Sequence, residues 1–171
     1  MMKILLVLPL STLMFSKSMR NSLLIPLAAA AFAVNGPAYA IDDFITKTIR
    51  PDIINVISNG GTGLAQFSVI STDFPSGTLG DPKKLQAIEW ITTHYPQNVG
   101  EEVELCYQRP FNSNQRDCRD IPPNSSGTLT DFNDQTFGNG SRVIIRHKVS
   151  AGGERVGHPA GNDSVTLRYS Y

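Results

Sequence analysis

Residues 157–171 read GHPAGNDSVTLRYSY, and the last eight of them decide the fold class. Val165, Leu167, Tyr169 and Tyr171 fall on one face at a period of two, with Thr166, Arg168 and Ser170 on the other. Pro159, Gly161, Asn162 and Asp163 supply a turn just before them. Strict alternation over this length specifies a half-buried β-strand.

Working back along the chain, RVIIRHKV places Val143, Ile145, His147 and Val149 on one face and Arg142, Ile144, Arg146 and Lys148 on the other. Joined through the glycine-rich SAGGERVGHPAGND, these two strands are expected to form an antiparallel pair with one face buried and the other basic. His147, on the apolar face, reads as a hydrogen-bonded, partly buried histidine. The alternative is a metal ligand, but His94, His147 and His158 lie in three different segments without a second ligand at metal-site spacing.

The same punctuation continues upstream. DIINVIS, LAQFSVIS, LQAIEWITT and EVELCYQ are short apolar or alternating runs, separated by NGGTG, FPSGTLGDP and YPQNVG. Such spacing predicts an all-β sandwich rather than alternating β and α units. DPKKLQAIEWI has a helix-like start in Asp81 and Pro82, but Ile91, Thr92 and Thr93 favour a strand.

Residues 1–40 carry Lys3, Lys17 and Arg20, no acidic residue, two apolar runs and the small-residue site Ala38-Tyr39-Ala40. They read as a secretory signal peptide cleaved after Ala40, with translation starting at Met19. The competing reading is a retained membrane anchor, although each run is shorter than the roughly 20 residues a bilayer crossing needs. Residues 41–171 then form one domain, in which 12 basic residues face 15 acidic ones. This balance has no basic footprint for nucleic acid.

Cys106 and Cys118 both lie in the mature part, and export makes a disulfide the expected state. A redox-active pair would use two-residue spacing at a helix start, which is absent. The enclosed loop, with Tyr107, Arg109, Phe111, Arg116 and Arg119 in or beside it, is a candidate ligand surface through aromatic stacking and guanidinium bonds. Its other reading is a solvated hairpin held by a disulfide. Motifs for nucleophilic hydrolysis, zinc proteolysis, phosphate binding and thiol redox chemistry are all missing, so neither enzyme activity nor any cofactor or metal is expected.

The stretch GGERVGHPAGNDSVTLRYSY, with Gly157 twelve residues before Tyr169, resembles the terminal strand of bacterial chaperone-usher fimbrial subunits. FITKTIRPDIINVISNGG is similar to the N-terminal stretch of the alpha-class, colonization-factor type. The resemblance implies an incomplete immunoglobulin-like β-sandwich over residues 52–171, completed by a strand donated from another subunit. Residues 41–51 would be that donor, with Phe44, Ile45 and Ile49 binding the next subunit; Lys47 sits where the family has an apolar residue. Val165, Leu167, Tyr169 and Tyr171 would border the groove and meet the chaperone. The implied partners are other fimbrial subunits, a periplasmic chaperone, an outer-membrane usher and a host receptor. Its route would run through the periplasm to a surface fimbria. The alternative is a monomeric secreted sandwich, carbohydrate-binding or inhibitor-like, that presents the Cys106–Cys118 loop.

Overall fold

The computed structural model describes residues 41–112, 116–133 and 135–171. The leader read over residues 1–40 and loop positions 113–115 lie outside the described residues. The chain is all-β. Its strands are β1 (Asp42–Ile49), β2 (Ile54–Asn55), β3 (Gly61–Ser68), β4 (Lys83–Ile91), β5 (Glu102–Gln108), β6 (Arg116–Ile121), β7 (Ser126–Leu129), β8 (Thr136–Phe137), β9 (Arg142–Val149), β10 (Val156–Gly157) and β11 (Asp163–Ser170). A short 3-10 turn covers Ser71–Asp73.

Two antiparallel sheets face one another. The first has the order β1-β11-β4-β7, with β8 also on β4; the second has the order β3-β9-β5-β6. A small β2–β10 ribbon forms a third, separate ladder beside β3. The core lies between the inward positions of the two layers. Ile45, Leu85, Ile88, Trp90, Val165, Leu167 and Tyr169 from the first sheet meet Ala65, Phe67, Val103, Leu105, Tyr107, Val143 and Ile145 from the second. Removing this apolar surface from water is the main stabilising term.

The expected pairing of RVIIRHKV with SVTLRYSY does not occur. β9 lies between β3 and β5, whereas β11 lies between β1 and β4. Each strand turns its apolar face inward, so the two meet across the sandwich instead of along a common edge. DIINVIS is not a full strand either. A tight turn closes where Ile57 and Gly60 exchange backbone hydrogen bonds of 3.0 Å, and Gly60 takes φ +90.

Segment 83–91 is a strand, as its β-branched end predicts, and its inward positions are unevenly spaced. Leu85, Ile88 and Trp90 point inward, an interval of three followed by one of two. A β-bulge lies between the first two, because Arg168 faces Ala87 while Tyr169 faces Leu85, so Gln86 has no partner across the ladder. One extra residue in a strand mimics helical periodicity over a single step.

The disulfide joins Cys106 and Cys118, which lie opposite one another in the β5–β6 ladder. It staples a hairpin at the edge of the second sheet. Replacing both cysteines by serine is expected to cost about 3 kcal/mol on the chain-entropy model, read as a lower urea midpoint.

Candidate functional site

Strand β1 runs antiparallel to β11 along its whole length, from Asp42 opposite Ser170 to Ile49 opposite Asp163. The segment that the resemblance assigns to a neighbouring subunit is here paired within its own chain. Its inward positions explain the register. Asp43 accepts a hydrogen bond of 3.0 Å from the Tyr169 hydroxyl. Ile45 enters the core, and Ile49 packs at its margin. The Lys47 ammonium lies 2.8 Å from a carboxylate oxygen of Asp73. A slip of two residues would drive that ammonium into the place of Ile45, leaving a buried charge without its partner. On the outer face Thr46 bonds Thr166 at 2.8 Å, Thr48 donates to Ser164 at 3.0 Å, and Phe44 is exposed beneath the Arg168 guanidinium.

Val165, Leu167 and Tyr169 fill the core of the same molecule. Tyr169 sits in an aromatic cluster with Phe74, Phe137 and Tyr171 at centroid distances of 5.6, 5.1 and 6.0 Å. Lys83 lies over the Phe74 and Tyr171 rings.

The residues read as a ligand loop do not converge. Tyr107 continues the inward alternation of Val103 and Leu105, is 1% exposed, and donates its hydroxyl to the Thr136 carbonyl at 2.7 Å. Burial pushes that phenol up to about 12. Arg109 donates to Gln135 at 3.2 Å, and Arg119 donates to Asp131 at 2.8 Å while lying over Phe132. Arg116 is exposed at the start of β6. Phe111 alone projects fully, 88% exposed with φ 55. Glu104 lies close to both sulfurs, but the disulfide consumes the thiolates a metal would need.

The strongest polar constellation has His147 at its centre. The imidazole is fully buried, with Nδ1 2.8 Å from Glu101 Oε1 and Nε2 2.8 Å from Asp163 Oδ2. The second oxygens are also used: Glu101 accepts the Tyr95 backbone N–H at 3.0 Å, and Asp163 accepts the Thr93 N–H at 2.8 Å. The Tyr95 ring stands edge-on to the imidazole at 5.3 Å. Two ionised carboxylates are both satisfied only by an imidazolium that donates from both nitrogens. Burial by itself opposes the charge, but the hydrogen bonds that the imidazolium donates to Asp163 and Glu101 outweigh it and push the histidine from 6.5 up to about 9. Burial and the same two carboxylates also push the Tyr95 hydroxyl well upward.

Three segments meet at this point: β9, the loop between β4 and β5, and the first residue of β11. With no exposed edge, the imidazolium is placed to clamp them. The reading of His147 as a hydrogen-bonded histidine understated the site. Asp163 belonged to a turn signal and Glu101 to an adjacent acidic pair, and neither residue type in those contexts announces a buried ion.

No protein-family model and no curated protein matches the chain. Among solved structures, the crystal structure of FlhE is similar at a TM-score of 0.51 and 17% identity, over 75% of this chain and 96% of that one. At that identity the likeness extends to the fold alone.

The clamp sets a pH dependence. Because the folded value lies above the unfolded one, the stabilisation is fully present below about pH 6.5 and is lost as pH rises through about 9. The difference corresponds to about 3 kcal/mol. Urea unfolding across that window is expected to show the wild type losing stability relative to His147→Gln. At neutral pH, His147→Gln itself costs about 3–5 kcal/mol, since two buried carboxylates lose their cation.

Proposed function

We propose that the protein is an exported β-sandwich that completes its own fold and serves as a monomeric binding module. The observation that carries this reading is the continuous pairing of β1 with β11 in one chain, held in register by Asp43–Tyr169 and Lys47–Asp73. A subunit built to receive a donor would leave that edge of β11 open. Inward-pointing charge on a terminal edge strand is, in addition, a device against pairing with other chains. Export is supported by the leader-like residues 1–40 and by the disulfide, which persists in oxidising compartments. The surface offered to a partner is the outer face of the first sheet, where Thr46, Thr48, Ser164, Thr166, Ser126 and Thr128 lie in cross-strand rows.

The fimbrial reading stays as the second one, favoured by a specific feature. β1 is a terminal strand at a sheet edge, and Arg50–Ile53 after it belongs to no strand. Exchange of β1 between copies would reproduce every contact in trans and give a head-to-tail polymer. Light scattering on the exported, processed chain separates the two. A single species of monomer mass across a hundredfold dilution series is expected, whereas a detergent-resistant ladder would establish strand exchange.

A further inference from the structure

The connection between β3 and β4 crosses from the second sheet to the first over the aromatic end of the core. Its regular structure is the single turn at Ser71–Asp73, and all of residues 75–82 except Thr78 are exposed. Val69 anchors its start by exchanging backbone hydrogen bonds of 2.9 Å with Gly140 and Ser141. Beyond Val69 the backbone bonds of this segment stay local among the described residues: Asp73 donates to Ile70, Phe74 to Ser71, Thr78 to Pro75 and Asp81 to Thr78. The Lys83 ammonium donates to the carbonyls of Thr78 and Asp81, again within a few residues along the chain. A segment with little buried surface and only local backbone bonds lies at the low end of local stability.

Beyond that anchor, Phe74 and Asp73 tie the segment to the body of the fold, and both lead to β1. The Phe74 ring, 7% exposed, enters the core edge-on to Tyr169 at 5.6 Å and to Phe137 at 6.0 Å. The Tyr169 hydroxyl is in turn held by Asp43 of β1. The Asp73 carboxylate closes its own turn by accepting the Ile70 N–H at 2.8 Å, and it also holds the Lys47 ammonium at 2.8 Å. β1 ends the first sheet and pairs on one side only. Removing β1 takes the cation from Asp73 and the acceptor from Tyr169. Removing the connection leaves the inward-pointing Lys47 without its carboxylate.

We propose that residues 70–82 form a lid over the aromatic cluster of Phe74, Phe137, Tyr169 and Tyr171, and that β1 is its latch: undocking β1 opens the lid, and opening the lid loosens β1. The coupling rests on the pairing of β1 with its own β11 and is independent of what the protein binds. Its reciprocity is a thermodynamic requirement, because each element stabilises the other by the same free energy. An event that removes β1 therefore also uncovers aromatic surface, which a strand held by its ladder alone would leave covered.

Native-state hydrogen exchange of the exported, processed chain, followed amide by amide by nuclear magnetic resonance, tests the coupling in both directions. Asp73→Asn neutralises the latch from the lid side, while the amide oxygen still accepts the Ile70 N–H. It is expected to quicken exchange of the β1 amides paired with β11 about five-fold relative to those of β9, as suits an ion pair at 21% and 17% side-chain exposure. Thr46→Gly weakens β1 from the opposite face to Lys47, where Thr46 bonds Thr166. It is expected to quicken exchange at Phe74, Thr78 and Asp81 about two- to five-fold. Unchanged β1 amides in Asp73→Asn, unchanged lid amides in Thr46→Gly, or an equal rise across β9 in either variant would overturn the proposal. Light scattering on the same samples keeps this apart from the monomeric reading. A polymer removes that reading, while the exchange pattern still decides the latch, since exchanged strands make the same contacts in trans.

Discussion

An imidazolium without water contact must find its counter-charges inside the protein, and this requirement organises one end of the sandwich. His147 lies on the second sheet, whereas Asp163 begins the edgeward strand pair of the first and Glu101 closes the loop between the sheets. The ion therefore acts across layers, where apolar packing alone is non-directional. Each carboxylate spends its remaining oxygen on a backbone N–H, so the network is fully satisfied and fixes the path of residues 93–101 as well as the start of β11. With β11 so placed, β1 finds its partner, and the terminal strand pair inherits its position from the clamp.

Along β1 the logic changes from burial to register. Its inward positions are an acid, an apolar residue, a base and an apolar residue; the acid accepts from the Tyr169 hydroxyl and the base pairs with Asp73. An all-apolar strand would bury more surface and slide more easily. Lys47, the residue that departs from the fimbrial pattern, is the one whose partner Asp73 lies on a 3-10 turn outside both sheets. This departure is what fixes the register of the strand on β11.

The outer faces divide the labour differently. On the second sheet Arg146 and Lys148 both pair with Glu104, so two of the three basic residues on the outer side of RVIIRHKV are neutralised there. The first sheet leaves hydroxyl rows, an exposed phenylalanine and an unpaired carboxylate in the open. The proposed binding function rests on that asymmetry more than on the disulfide hairpin, whose tyrosine is core and whose arginines at 109 and 119 are already partnered.

Local chemistry in the chain was enough to establish the β class, the strand at 163–170, the strand nature of 83–91 and the cysteine pair. Alternation, turn residues and export context are short-range signals that survive without a fold. Which strands became neighbours was not legible, because an inward apolar face is satisfied equally by a strand beside it or a sheet across from it. The bulge at Gln86 was hidden for a related reason: one inserted residue looks like a helical step until the facing strand is known. The clamp of Glu101, His147 and Asp163 was invisible because its members are 46 and 16 residues from the histidine. Only chain closure brings three such distant charges to hydrogen-bonding distance, and only the exclusion of water there turns them from surface residues into a constraint.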